Sequence, residues 1–229
     1  MHIHDVQQLA RTQNRAGDLA ERRLRALWKR LPLDDLGTLE DALCQLYPRL
    51  VEESAEVASS AALEWYEKQR EAEGVAKAYS PVMPAGLVDQ DDAEKIVGAT
   101  LRDLREGIDR AKALARLTDG ARKLVSDSGR ATVQHAAEAD PKSPRYARVP
   151  TGAETCAWCM LWASRGFVYR SEETASFKRS HFKCDCQIVP SWSKKPRIKG
   201  YDASKYEDMY RKALASLEDE GAYIDDVRV

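Results

Sequence analysis

Histidine is scarce in this chain, with four among 229 residues. No H-E-x-x-H pair occurs, so a zinc hydrolase with an open coordination position lacks its ligands. A G-x-S-x-G elbow is absent, and His2 and His4 stand at a fraying chain end, which leaves a serine protease without a positioned Ser–His pair. Long apolar runs are missing too. None approaches the roughly 20 residues of a membrane span, so no membrane partner is expected. Met1-His-Ile-His-Asp5 offers no apolar h-region, and no signal peptide is read there. Nor does charge of one sign dominate, because the sum is −1.

That near-zero sum hides an asymmetry. Residues 142–199 hold 12 Lys and Arg against 4 Asp and Glu, a net of +8. Residues 32–141 hold 13 against 22, a net of −9. Residues 1–31 are +4 (7 against 3), and 200–229 are −4 (4 against 8). A basic module near the C-terminus suits phosphate or an acidic protein surface. A small module with few core residues also carries a charged surface in any case, and the two readings weigh equally. The length fits one large domain or two small ones with a real core.

Apolar spacing predicts helix through most of the first 140 residues. Ala20, Leu24, Leu27 and Leu31 recur on one stripe of a basic helix over 5–31, ended by Pro32. A short helix is expected over 34–46, with Cys44 as a buried small hydrophobe. A second begins near Pro48 and runs to Glu73, with Val51, Ala55, Ala58, Ala62 and Trp65 inward and Gly74 as the stop. Residues 75–88 read as a loop. A third helix starts at Asp89 and carries Val97, Leu101, Leu104, Ile108, Ala111 and Ala115 on one stripe. Gly120 and Gly129 are expected to bend or interrupt it before 132–139, where His135 reads as a structural or surface residue. No internal repeat is visible, and the pattern suggests helical hairpins or a loose bundle.

At Asp140-Pro141 the composition changes. Short strands are predicted at 146–149, 167–169 and 187–189, the last ended by Pro190. Between them lies the densest chemistry in the chain: Cys156-Ala-Trp-Cys159, then His181-Phe-Lys-Cys184-Asp-Cys186. Two pairs of soft ligands around a short insert are how a small irregular fold builds a tetrahedral metal site. Thiolate plus imidazole points to zinc in a structural role. Cys156, Cys159, His181, Cys184 and Cys186 are five candidates for four positions. The first two are the safest pair, and spacing does not choose among the rest. A disulfide set or free thiols are the competing uses. The module is expected to need its metal to fold. A helix over 202–221 and a tail from Tyr223 close the chain. The fold class is therefore α+β: a helical body over 1–140, a basic zinc module over 141–199, and a C-terminal helix and tail over 200–229.

One family carries several of these features together. Gly129-Arg-Ala-Thr132, Asp140, Arg148-Val-Pro150, the first cysteine pair, Ala163-Ser-Arg-Gly-Phe-Val-Tyr169, Ser171-Glu172 and the His181 to Pro190 block resemble the Mu F-like minor head proteins of tailed bacteriophages. The likeness is greatest to versions from phages of actinobacteria. It covers about residues 125–192 in detail. One departure is Phe182, where many relatives have proline. The resemblance implies a non-enzymatic head component that associates with the portal protein or major capsid protein and assists head assembly, DNA packaging or delivery. Its place would be the virion, after assembly in the host cytoplasm, with non-specific contact to packaged DNA and no small-molecule substrate.

Other classes fit less well. A cytidine-type deaminase needs H-x-E before P-C-x-x-C, and here the C-x-x-C comes first behind Thr155. A His-Asn-His-type nuclease would use His181 as base with Asp185 or Glu172 on a metal, but no second histidine accompanies it. Capsid-maturation proteolysis meets the missing Ser–His pair. A general DNA-binding zinc module remains open on charge, although the spacing is not that of a C2H2 finger.

Overall fold

The structure is a computed structural model, and it describes residues 1–75, 79–153, 155–171 and 184–219. Four helices form the body. Helix α1 (Ile3–Trp28) starts on a reciprocal cap: the His2 ring accepts from His4 N, and Asp5 accepts from His2 N. It buries Val6, Leu9, Ala16, Ala20 and Leu24.

Helix α2 (Leu36–Ala72) corrects two expectations. It begins on Asp35, which accepts from Gly37 N and Thr38 N, and it runs without interruption past Pro48. Proline removes one backbone bond and crowds the carbonyl four residues back. Leu39, Leu43 and Tyr47 before it and Val51, Ala55 and Ala58 after it are fully buried on one stripe, and that packing outweighs the local defect. Cys44 lies off the stripe and is exposed. The expected stop at Gly74 is present, with φ +71° just past the Glu73 cap.

The helix expected from Asp89 onward divides in two. Helix α3 (Gln90–Arg105) ends where Gly107 takes φ +80°, and helix α4 (Arg110–Ala139) restarts on Asp109. Periodicity alone misses this break because the apolar spacing carries across it. Within α4, neither Gly120 nor Gly129 interrupts the helix. Gly120 lets α2 and α3 approach, since a Cβ there would lie 2.7 Å from Ile96 Cγ2 and 2.9 Å from the Tyr47 hydroxyl. No helix among the described residues is long and apolar enough to cross a membrane.

Strands β1 (Arg145–Val149) and β2 (Gln187–Ser191) pair antiparallel, Arg145 opposite Ser191 and Val149 opposite Gln187. Pro190 lies inside β2 rather than ending it. Its partner Tyr146 sends its N–H to the Tyr169 carbonyl on the other side, so the missing proline donor is not needed. The strand expected at 167–169 is reduced to this single Tyr146–Tyr169 bridge. Helix α5 (Ala157–Ser164) and helix α6 (Ala203–Asp219) are the remaining elements among the described residues. The tail expected from Tyr223 lies outside the described residues.

Among the described residues, apolar side chains gather in two clusters. One holds the C-terminal half of α1, the N-terminal halves of α2 and α4, and α3. The other joins Val6, Leu9, Ala62, Trp65, Tyr66, Val133 and Ala136 of the body to Tyr146, Val149, Trp162, Tyr169, Ile188 and Val189. The sheet is thus packed on the ends of the body helices. Beneath it Asp140 accepts from Arg70 Nε at 2.8 Å, Tyr66 Oη at 2.9 Å, Trp192 Nε1 at 3.2 Å and Lys142 N at 2.8 Å.

Candidate metal centre

Cys156 caps α5, and its sulfur accepts from Cys159 N at 3.3 Å. One turn on, Cys159 is fully buried. The segment entering β2 brings Cys184 and Cys186 to the same place. Cys159 Sγ lies 3.3 Å from Cys184 Sγ, which lies 3.6 Å from Cys186 Sγ. All three sulfurs fall within 4.8 Å of one another, close enough to bind a metal ion. Among the described residues, no disulfide joins them. Cys156 stands one helical turn from Cys159, outside that group of three. His181, the fifth candidate, lies outside the described residues.

The Cys184–Cys186 segment is fastened by partners far away in sequence. Asp185 Oδ2 accepts from Thr151 N at 3.1 Å and Gly152 N at 2.5 Å, and the Asp185 carbonyl accepts from the Thr151 hydroxyl. Arg130 of α4 is 1% exposed and donates from Nη1 to the carbonyls of Cys184 and Cys186, both at 3.2 Å. Its Nη2 holds Asp127. Arg148 of β1 is fully buried, donates to Cys186 Sγ at 2.8 Å, and lies with its guanidinium 4.4 Å from the Trp158 ring centre.

These contacts set the ionisation of the sulfurs. Thiol donation from Cys159 and Cys184, with Arg148 and Arg130 nearby, holds Cys186 well below the ordinary thiol range despite burial. Donation from Cys159 lowers Cys184, but its own donation to Cys186 and its burial push it up to about 11. Cys159 rises further, as donor to both and buried. Three thiolates would carry three negative charges, which Arg148 and Arg130, the latter already paired with Asp127, offset only in part; a cation replacing the thiol protons would offset the rest.

A cleft of about 590 Å³ between α1 and α4 ends at this cluster, with Arg11, Asn14, Asp119, Lys123, Cys184 and Asp185 among its walls. Cys184 is the cysteine of the three that lines it. Spacing singled out the cysteines but not Arg130, Arg148 or Thr151 as their supports. Arg148 and Arg130 stood inside the blocks that carry the family resemblance, which was the one available signal.

Known proteins place the chain among phage proteins. The Gene 15 protein of Mycobacterium phage D29 is 29% identical over 38% of this chain and 44% of its own length. The Gene 15 protein of Mycobacterium phage L5 is 31% identical over 43% of this chain and 35% of its own length. The match therefore spans less than half of either relative. No solved structure matches. The family model described as VG15 protein matches residues 2–213, and the chain belongs to that family.

Proposed function

We propose that this protein is a non-enzymatic structural component of a phage head, of the Mu F-like minor head type, whose thiol centre holds a structural zinc. The observation that carries the zinc is the convergence of three cysteine sulfurs within 4.8 Å of one another, with the wholly buried Arg148 on one of them. An arginine taken out of water needs an anionic partner, and a sulfur is anionic only as thiolate. Three close sulfurs ionise together only around a cation. A tetrahedral zinc with Zn–S near 2.3 Å separates its sulfurs by about 3.8 Å, near the 3.3 and 3.6 Å seen here. Cys159, Cys184 and Cys186 would hold it, with Cys156 or His181 as the fourth ligand. Zinc supplies no redox chemistry there; it cross-links chain segments.

The head role rests on phage relatives and on a site built for holding rather than turnover. The Asp185 carboxylate, a conceivable metal ligand in a nuclease, is spent on Thr151 and Gly152. Portal or major capsid protein is the proposed partner, with non-specific DNA contact through the basic module, inside the virion. Two measurements test the reading. Elemental analysis with a free-thiol count on protein purified without added metal should give about one zinc per chain and five thiols after chelation and denaturation. Mass spectrometry of purified virions should find the protein in the head; its absence there would sink the structural role.

A further inference from the structure

The cluster sits at a joint. Cys184 and Cys186 belong to the body side, tied by Arg130 of α4, by Arg148 of β1 and by Thr151. Cys159 belongs to α5. Beyond α5 comes α6, whose packing is chiefly on α5. Tyr201 donates to the Ala163 carbonyl at 2.5 Å, its ring meets Tyr206 at 5.8 Å, and Tyr206 bonds to Thr155. None of the α6 side chains described, 203–216, is buried.

The sheet does not share this dependence. Tyr146, Ala147, Val149, Ile188 and Val189 are buried against α2 and α4. Glu73 of the body accepts from Ser191 Oγ, Trp192 N and Ser193 N, and Asp140 accepts from Trp192 Nε1. By contrast, α5 has eight residues and joins the rest close to the thiol cluster: through Cys159, through Trp158 on the Arg148 guanidinium that holds Cys186, and through the buried Trp162, which meets Tyr169 at 5.6 Å and whose carbonyl accepts from Tyr169 Oη at 3.0 Å. A helix that short does not persist without tertiary anchors.

We propose that the thiol centre is a metal-dependent latch. With the ion bound, α5 and α6 are clamped to the sheet. With it removed, they come away together, while α1–α4 and the β1–β2 ladder stay folded. This rests on the metal reading above and adds a defined moving unit to it. Metal state would then control whether the C-terminal helix and the Trp162 face are available to a partner.

Hydrogen–deuterium exchange on the full chain tests it, as purified, after chelation and after reloading with zinc ions, with metal content read on each sample. The latch requires chelation to abolish protection in 157–164 and 203–219, to leave 145–149, 187–191 and α1–α4 unchanged, and to be reversed by zinc. Metal lost with α5 and α6 still protected overturns the latch and leaves the metal reading standing. Protection lost across both strands also overturns it, since the ion would then hold the whole module. A protein that neither contains nor takes up zinc overturns both. As a second variant, Tyr201→Phe should raise exchange in 203–219 while metal content stays the same; an unchanged α6 would count against its seat on α5.

Discussion

Arg148 carries the sharpest expectation for a single side chain. It is fully buried, and its guanidinium contacts Cys186 Sγ and the Trp158 ring. Arg148→Met keeps the volume and removes the charge, so the thiolates around the ion lose a buried counter-charge. Removing such a partner of a metal ligand weakens metal binding about 10–100-fold. Chelator competition should read that loss, with Arg148→Lys intermediate because a lysine restores charge but not the stacked plane. Equal retention in all three proteins would mean that Arg148 serves packing alone. At this scale the sequence showed the ligands better than their supports. Cysteine pairs announce themselves by spacing, whereas Arg148 and Arg130 reach sulfur or carbonyl partners 38, 54 and 56 residues away. Nothing local in either arginine's neighbourhood marks it as buried.

Among the elements, α2 holds a testable defect. Pro48 stands inside a 37-residue helix and is tolerated because the stripe on both sides of it is buried. Proline is about 3 kcal/mol less favourable than alanine in a helix interior. Pro48→Ala should therefore raise Tm by several degrees in a chain of this size. A fall in Tm would show that the helix is shaped around the ring. Gly120→Ala should act the other way. Its new methyl meets Ile96 and the Tyr47 hydroxyl, and such overpacking loses about 1–3 kcal/mol. The start at Asp89 was readable because a short acceptor stands there; Asp35 and Asp109 cap helices in the same way and went unread, Asp109 because the apolar spacing on both sides of Gly107 masks the break. The two glycines in α4 were misread for a related reason: a missing side chain looks like a weak point in sequence and acts as a contact surface in three dimensions.

For the whole molecule, the composition shift at Asp140-Pro141 marks where helix gives way to strand, yet the second apolar cluster crosses it. Sequence shows where composition changes, but a core shared by residues 62 and 188 is a property of the assembled chain. Asp140 lies at that crossing, and its ionisation couples the parts. Burial alone would raise its pKa, but the Arg70 hydrogen bond, with those of Lys142 N and Tyr66, brings it below the usual aspartate value. Because the folded value is lowered, the stabilisation is fully present above the unfolded pKa near 3.9 and is lost as pH falls through the folded one. Asp140→Asn leaves Arg70 buried without its counter-charge. Breaking such a pair is destabilising by about 3–5 kcal/mol, or roughly 6–20 °C in Tm at pH 7. The gap between wild type and variant should then stay level from pH 7 to about 4 and narrow below it, as the wild-type carboxylate takes up its proton. Paired melts across that range, on zinc-loaded and chelated protein, separate this from protonation of the sulfurs, because Asp140 is not among the metal-binding residues. A gap that holds constant down to pH 3 would mean that Asp140 joins the body and the sheet through shape and hydrogen bonding rather than through its charge.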